Sequence, residues 1–317
     1  MNFDRNTIIG FIVLAVLFIA YFFYTSNQQQ SYLREKALKD SIANLNKPNQ
    51  NAQSPVAQPM QTDTTGNVQA GQSNDTVNVV EKITEIETDL VKIAFTSKGG
   101  QPKWVELKQF KSTDSNNVKL ASTDFDQLNY RVNTSANQTR DIHFLNFNTG
   151  EIKKAADGSQ TITYQIQTAS GGTITHEFVI KPDDYMIDFN LHINGVTKLL
   201  NNNTLNLTWQ AKAVQLQKDL KYEKQMSDIS YYTDGDYDYT SAAGSDKETF
   251  DKSVKWVAVK QQFFNTAFLA KNDFNSGSIE WISPTDGNTI VEAQANLKLQ
   301  LSAGNTANIP LAFYYGP

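Results

Sequence analysis

The N-terminal part of the chain is dominated by one long apolar run. Residues Ile8–Tyr24 (IIGFIVLAVLFIAYFFY) carry no charge and contain a single glycine. As a helix that rises about 1.5 Å per residue, this run spans roughly 25 Å, close to the hydrocarbon thickness of a bilayer. The pattern therefore predicts a single transmembrane helix within residues 1–26.

A cleavable signal peptide is the alternative interpretation of the same run. Its apolar region is only about 7–15 residues long and precedes a small-x-small cleavage site. Phe22–Asn27 (FFYTSN) offers no such site, so an uncleaved anchor is predicted. The short leading tail carries Arg5, which favours a cytoplasmic N-terminus, although Arg34, Lys36 and Lys39 weaken this charge bias. The bulk of the chain is expected on the other side of the membrane.

Residues 27–80 form a polar segment between the anchor and the rest of the chain. Lys47–Asn78 is rich in Asn, Gln, Ser, Thr and Pro and contains almost no large apolar residue. Such a segment buries too little surface to offset the entropy of ordering it, so a flexible linker is predicted. Ser31–Leu45 has apolar residues at helical spacing, and a short helix is expected there.

From about residue 81 the hydrophobic pattern changes to a period of two. Thr161–Thr168 (TITYQIQT) and Ile174–Ile180 (ITHEFVI) both alternate, and Ser170–Gly172 lies between them as a turn, which predicts a hairpin. Further alternating sets are Tyr185–Ile193, Leu205–Trp209 and Leu297–Leu301. Many half-buried strands without intervening helices indicate a mainly β domain, an antiparallel sandwich over residues 81–317.

The hydrophobic pattern of one segment does not predict its secondary structure. Trp256–Leu269 (WVAVKQQFFNTAFL) contains no proline or glycine and is apolar on nearly every side. Periodicity therefore does not separate helix from strand at this position.

The overall composition excludes several function classes. The net charge of −5 argues against a nucleic-acid partner, which requires clustered Lys and Arg. The absence of cysteine excludes disulfides, thiolate metal sites and thiol catalysis.

The candidate metal-binding residues do not form a recognisable site. The three histidines, His143, His176 and His192, lack the spacing of metal ligands, and His176 shares an apolar face that predicts a hydrogen-bonded core histidine.

Asp234, Asp236 and Asp238 resemble the start of a calcium loop. The loop requires glycine at its sixth position and an acidic residue at its twelfth, where this chain has Tyr239 and Ser245. A solvated acidic loop is predicted instead.

The glycine pairs and the tryptophans also favour structural roles. Gly99–Gly100 and Gly171–Gly172 lack the spacing of phosphate-binding loops, so plain turns are predicted. Each of the four tryptophans lies in an apolar alternating run, which favours core packing over sugar stacking; they are Trp104, Trp209, Trp256 and Trp281. We predict no catalytic residue, no cofactor-binding residue and no metal ligand, and the protein is not expected to be an enzyme.

Four stretches together resemble a known family. They are Ile83–Gly100 (ITEIETDLVKIAFTSKGG), Trp104–Leu107 (WVEL), Trp256–Phe268 (WVAVKQQFFNTAF) and Tyr315–Pro317 (YGP). Their order, behind an anchor that starts almost at residue 1, resembles the N-terminal half of the YidC family of bacterial membrane protein insertases.

The resemblance implies a periplasmic antiparallel β-supersandwich of the galactose-mutarotase-like type. It implies a role in inserting and folding inner-membrane proteins, alone or with the Sec translocon. The expected location is the bacterial inner membrane, with a single pass in this chain. The implied partners are the lipid bilayer, nascent membrane proteins and the SecYEG or SecDF components.

In this family a five-helix membrane core follows the β-domain and carries a hydrophilic groove with a functional arginine. Residues 25–317 contain no second apolar run long enough to cross a bilayer. The resemblance therefore implies an N-terminal portion of an insertase, and no groove residue is assigned to this sequence.

Two other interpretations stay open. A membrane-anchored carbohydrate-binding or mutarotase-like protein predicts a pocket that gathers His, Asp or Glu side chains beside an exposed Trp. A periplasmic adaptor of an efflux or secretion complex requires a long helical hairpin with sustained heptads, and only Ser31–Leu45 offers a helical pattern.

Overall fold

The computed structural model describes residues 80–285 and 287–317. The predicted transmembrane helix within residues 1–26, the short helix at Ser31–Leu45 and all but the last residue of the predicted linker 27–80 lie outside the described residues. Within the part that is described, no helix has both the length and the apolar character needed to cross a membrane. Glu81–Pro317 forms one compact unit.

The described residues contain twenty β-strands and only short helical turns. The strands are β1 (Ile83–Glu87), β2 (Val91–Thr96), β3 (Gln101–Lys111), β4 (Asn117–Leu120), β5 (Gln127–Ser135), β6 (Gln138–Asp141), β7 (Asn148–Thr149), β8 (Lys153–Lys154), β9 (Gln160–Gln167), β10 (Thr173–Ile180), β11 (Met186–Asn194), β12 (Thr204–Val214), β13 (Asp228–Thr233), β14 (Asp236–Ser241), β15 (Ser245–Phe250), β16 (Val254–Gln261), β17 (Phe264–Phe274), β18 (Ser276–Ile282), β19 (Thr289–Gln300) and β20 (Thr306–Gly316). The helices are α1 (Val196–Leu199) and α2 (Leu220–Gln225), with one 3-10 turn at Ile142–Phe144.

These strands form three antiparallel sheets around one hydrophobic core. The first sheet has the order β1-β2-β3-β4. A ten-stranded sheet has the order β14-β13-β16-β17-β20-β11-β10-β9-β7, with β8 paired to β9, and a six-stranded sheet has the order β15-β18-β19-β12-β5-β6. A single cluster of buried apolar side chains draws residues from all three sheets. The predicted mainly β, antiparallel sandwich is confirmed.

In β9 and β10 the apolar residues of the alternating pattern lie on the buried face of the sheet. In the hairpin of β9 and β10, Phe178 pairs with Ile162, and on the other side it pairs with Phe189 of β11. The Phe178 and Phe189 rings stack with centroids 4.8 Å apart, and Phe313 of β20 stacks 5.7 Å from Phe189. Because strand side chains alternate between faces, the intervening polar residues point away from this aromatic core.

The ambiguous segment at Trp256–Leu269 is a β-hairpin. Strands β16 and β17 meet at a turn of two residues, Gln262 and Phe263, where Gln261 pairs with Phe264. Both faces of the hairpin carry buried side chains, with Val257 on one face and Ala258 on the other. A strand that is buried on both faces loses its polar alternation, which explains why periodicity did not identify it.

The prediction that all four tryptophans belong to the core is wrong for Trp104 and Trp256. Trp209 and Trp281 are 2% exposed, whereas Trp104 and Trp256 are only partly buried. Trp104 lies on the side of β3 opposite the buried Val105, and the Lys119 ammonium lies 4.6 Å from its ring centroid. An apolar run contains residues of both strand faces, so a neighbour that is buried does not imply a buried tryptophan.

A buried polar cluster connects the three sheets. His176 of β10 is fully buried, as predicted for a core histidine; its Nδ1–H donates to the Gly100 carbonyl at 2.7 Å. Tyr130 of β5 donates its hydroxyl to Nε2 at 2.6 Å. Gly99 and Gly100 make the predicted turn before β3, with φ angles of +74° and +58°. The neutral imidazole is therefore held between two partners in the protein interior.

A second buried polar cluster surrounds α2. The Glu223 side chain, 1% exposed, accepts hydrogen bonds from the backbone N–H groups of Leu216 at 3.1 Å and Gln217 at 3.0 Å. The Gln261 amide of β16 donates to the same carboxylate at 2.7 Å. Asp219 caps the helix by accepting from the Tyr222 N–H at 2.9 Å. Glu223 thereby fixes the β12–α2 loop against the ten-stranded sheet.

The burial of His176 predicts a specific loss of stability in acid. Burial lowers the pKa of His176 to about 4, from an ordinary value of 6.5, and the hydrogen bond to Gly100 opposes this only in part. The unfolded chain takes up a proton below pH 6.5 while the folded chain does not, so the stabilisation is complete above pH 6.5 and is lost as the pH falls towards 4. The loss amounts to at most about 3 kcal/mol.

Urea unfolding at pH 7.0, 5.5 and 4.5 measures this effect. The control is the double variant His176→Phe and Tyr130→Phe, which removes the titrating imidazole together with its hydroxyl partner. An equally steep pH dependence in the control would show that His176 is not its source.

Candidate interaction surface

The structure keeps the three histidines apart. His176 is enclosed in the core, while His143 lies within the 3-10 turn and His192 lies on β11, 4.0 Å from Glu177. Burial lowers the pKa of His143, and the nearby Lys98 charge acts in the same direction. Among residues 80–285 and 287–317, no group of three or more His, Asp, Glu or Cys side chains could hold a metal ion.

The acidic residues at 234–238 belong to a hairpin rather than to a calcium loop. Asp234 and Gly235 form the tight turn between β13 and β14, with φ angles of +53° and +83°. Asp234 forms an ion pair with Lys252, and Asp236 and Asp238 are exposed on β14. The predicted solvated acidic loop is solvent-exposed, but Asp236 and Asp238 lie on a strand of an edge hairpin and not in a loop.

The most distinctive surface of the described residues is a row of aromatic rings at this hairpin, here called the aromatic platform. It consists of Tyr232, Tyr237, Tyr239 and Trp256. Tyr237 lies 5.8 Å from Tyr239 and 5.9 Å from Trp256, and Trp256 lies 6.3 Å from Tyr232, measured between ring centroids. Tyr237 and Tyr239 are 49% and 58% exposed.

Strand pairing explains how the platform forms. Tyr232 is paired with Tyr237 on one side and with Trp256 on the other, so three rings come from three adjacent strands. Tyr231, the next residue along, points to the opposite face and is buried against Phe250, with 4.8 Å between ring centroids. The platform is thus the solvent face of β13 and β16, whose other face belongs to the core, extended by the exposed edge strand β14.

Sequence reasoning did not identify this platform. The segment Asp234–Tyr239 (DGDYDY) was interpreted through its aspartates, although its tyrosines alternate with them at strand spacing. The signal was the period of two in a stretch with a turn at Asp234–Gly235.

Two small adjoining clefts do not provide the pocket expected of a mutarotase-like protein. They share Ala121 and Thr266, and each has a cavity volume of only about 10 Å³. Their only acidic residue is Asp126, whose carboxylate accepts from the Lys212 N–H at 2.8 Å and from the Thr123 hydroxyl at 2.6 Å. Burial raises the pKa of Asp126, and these two hydrogen bonds oppose the rise. The acid is therefore engaged structurally within the clefts.

Comparison with known proteins identifies the family. Residues 83–317 match the family described as the YidC periplasmic domain. The chain is 25% identical over 322 residues to a membrane protein insertase YidC of Bacteroides fragilis, covering 99% of this chain and 51% of the relative. A membrane protein insertase YidC of Cytophaga hutchinsonii is 26% identical over 343 residues, covering 99% of this chain and 52% of the relative. The chain thus spans about half the length of these curated relatives.

Solved structures with similar chain traces include proteins related to galactose mutarotase. A galactose mutarotase related enzyme from Lactobacillus acidophilus has a TM-score of 0.47 and 9% identity, covering 74% of this chain and 98% of that one. A galactose mutarotase-like protein from Lactobacillus casei has a TM-score of 0.47 and 10% identity, covering 74% of this chain and 100% of that one.

The motifs that suggested a family occupy defined places in the fold. Ile83–Gly100 forms β1, β2 and the glycine turn, while Trp256–Phe268 forms the β16–β17 hairpin and Tyr315–Pro317 ends β20. With the match over residues 83–317, these positions lead to one conclusion: the chain carries a YidC periplasmic domain and belongs to the YidC family.

Proposed function

We propose that this chain supplies the anchored periplasmic β-domain of a membrane protein insertase. The observation that carries the proposal is the family match over residues 83–317. The similarity to the insertases of Bacteroides fragilis and Cytophaga hutchinsonii also covers 99% of this chain, so it includes the apolar run at Ile8–Tyr24. The activity that follows is assistance to the insertion and folding of inner-membrane proteins.

The proposed organisation has three parts. Residues 1–26 form the cytoplasmic tail and the anchor, residues 27–80 form the linker, and residues 81–317 lie in the periplasm. The uncharged length of Ile8–Tyr24 supports a single crossing of the bacterial inner membrane. The arginine in the short leading tail supports a cytoplasmic N-terminus.

The proposed mechanism is passive and non-enzymatic. An insertase lowers the cost of moving polar segments across a bilayer by offering them polar contacts within it. The proposed partners are the bilayer, nascent membrane proteins and components of the Sec translocon. The aromatic platform supports a role in binding a partner, because exposed aromatic rings supply large contact area at small cost in side-chain entropy.

The insertase proposal is tested in a hybrid protein. The full chain replaces the corresponding half of the Bacteroides fragilis insertase, and the hybrid is produced in cells depleted of their own insertase. We expect restored insertion of a newly made inner-membrane protein, followed by its protection from protease. The same hybrid without residues 83–317 measures what the β-domain contributes. A folded, membrane-integrated hybrid that restores no insertion would contradict the proposal.

A membrane-anchored carbohydrate-binding module is the second candidate function, and the aromatic platform is the observation that favours it. Sugars stack on aromatic faces that lie on a flat sheet, and Trp256 provides a fluorescent reporter within this platform. Quenching of tryptophan fluorescence by a soluble glycan, abolished by Trp256→Ala and by Tyr237→Ala, would favour this candidate over the first.

A further inference from the structure

Three exposed apolar side chains lie close to the N-terminal end of the β-domain. Val80, Ile83 and Phe144 are 86%, 42% and 64% exposed. Isolated exposed apolar residues are common on protein surfaces and by themselves indicate no site. These three side chains differ because they belong to segments that flank one turn, and because exposed lysines lie beside them.

Hydrogen bonds hold the two segments that carry these side chains together. The backbone N–H of Lys82 donates to the Ser97 hydroxyl at 2.9 Å, and the Ser97 N–H donates to the Lys82 carbonyl at 2.9 Å. The Ser97 hydroxyl in turn donates to Asn146 Oδ1 at 2.7 Å. The Gly99 N–H donates to the Leu145 carbonyl at 2.8 Å. Residues 80–83 and residues 142–146 therefore flank the same turn at residues 97–99.

The charges at this end of the domain are mainly basic. Lys82 and Lys98 are exposed beside the apolar side chains. Two acids lie nearby, Glu81 and Asp141, and both are engaged. Glu81 Oε1 accepts from Lys103 Nζ at 2.7 Å and from the Thr96 hydroxyl at 2.6 Å, and Asp141 forms an ion pair with Arg131 at 3.3 Å. The chain as a whole carries a net charge of −5, so this end differs in sign from the rest.

Val80, Lys82, Ile83, Lys98 and Phe144 are here called the basic-apolar patch. Apolar side chains flanked by lysines are the combination that binds the surface of an anionic bilayer. The apolar groups enter the boundary between headgroups and acyl chains, while the ammonium groups attract lipid phosphates. An anionic lipid surface therefore complements both the charge and the apolar character of the patch.

The sequence before the patch also places a bilayer within reach. Residues 25–79 separate the apolar run at Ile8–Tyr24 from Val80. With the flexible linker that is proposed for residues 27–80, an end-to-end distance of about 40 Å would keep the domain at high effective concentration beside the membrane surface. This step rests on the anchoring that is part of the proposed function.

From these observations we propose that the basic-apolar patch docks the β-domain onto the anionic surface of the bilayer that holds its anchor. Docking fixes one end of the domain at the membrane. Strand β7, which follows Phe144 along the chain, lies at one edge of the ten-stranded sheet. The aromatic platform lies at the opposite edge, on β14 and the strands next to it. The platform then remains available to a partner while the patch is occupied by lipid.

A single fluorescent label tests the docking. The chain contains no cysteine, so Phe144→Cys provides one site for a nitrobenzoxadiazole label in the full chain reconstituted into vesicles. We expect a blue-shifted emission and quenching by nitroxide lipids in phosphatidylglycerol-containing vesicles, and neither in pure phosphatidylcholine. The control is Tyr239→Cys, which labels another exposed aromatic position, 58% exposed on the distant edge strand.

Charge reversal tests the basic component. Each lysine near an anionic surface contributes roughly a fivefold change in binding, so Lys82→Glu with Lys98→Glu is expected to lower the docking equilibrium at least 25-fold. Lys247→Glu with Lys255→Glu makes the same change in net charge at exposed positions elsewhere and is expected to leave docking largely intact.

The outcomes separate this inference from the proposed function. Alkaline washing of the vesicles first shows whether the chain is integrated through its anchor. An integrated chain whose label at residue 144 behaves like the label at residue 239 in every vesicle would overturn the docking alone. A chain that is washed off would overturn the anchoring and, with it, the docking.

Discussion

Gly100→Ala is expected to lower the free energy of unfolding by roughly 2–5 kcal/mol, through left-handed backbone strain and overpacking together. Gly100 has a φ of +58°, and a Cβ atom there would lie 2.9 Å from Tyr164 Cβ and 3.1 Å from Phe147 Cγ. Both neighbours are large, fully buried rings that have no room to move aside. The same change disturbs the carbonyl that accepts the hydrogen bond from His176. Urea unfolding of the detergent-solubilised chain, followed by tryptophan fluorescence, measures the loss.

The matched control is Gly235→Ala in the β13–β14 turn. Gly235 has a φ of +83°, and no atom lies within 4 Å of the position of an added Cβ. Only the left-handed backbone is strained there, which costs about 1–2 kcal/mol. Equal losses in the two variants would mean that the packing around Gly100 contributes nothing.

Glu223→Ala is expected to cost about 3–5 kcal/mol, because three hydrogen-bond donors lose a buried acceptor at the same time. The donors are the N–H groups of Leu216 and Gln217 and the amide of Gln261. Glu223→Gln retains one acceptor oxygen but turns an NH₂ group towards donors, so an intermediate loss is expected. Chemical unfolding measures stability, and hydrogen exchange of residues 214–226 should show local opening of the loop first.

Glu85→Ala serves as the control for the removal of a glutamate side chain. Glu85 is exposed and forms an ion pair with Lys92 at 2.9 Å. Exposed ion pairs contribute little to stability, so the unfolding midpoint should stay nearly unchanged. A Glu223→Ala variant as stable as Glu85→Ala would contradict the structural role assigned to the α2 cluster.

Most strands of the sandwich could be predicted from the sequence, because a strand with one buried face has a hydrophobic period of two. The predicted strands at Thr161–Thr168 and Ile174–Ile180 correspond to β9 and β10 within one residue at each end. The secondary structure of Trp256–Leu269 could not be predicted, because both faces of this segment are apolar. The sheet order, in which β20 lies between β11 and β17, depends on pairings between distant segments that no local pattern records.

The candidate surfaces were less predictable than the strands. Alternation tells which residues share a face, but it does not tell which face meets the core, and for this reason Trp104 and Trp256 were misplaced. The buried carboxylate of Glu223 has no sequence signature, since its partners at Leu216 and Gln261 come from a loop and a separate strand. Sites built from long-range contacts require the fold before they become visible.

The position of β20 has a consequence for the order of events during folding. Strand β20 pairs with β11 on one side and with β17 on the other, so it joins two portions of the ten-stranded sheet. Until residues 306–316 are available for pairing, both portions expose an unpaired edge that can capture other chains. Folding of this sheet therefore includes a late interval that is sensitive to aggregation, because two open edges stay exposed until β20 pairs with both of them.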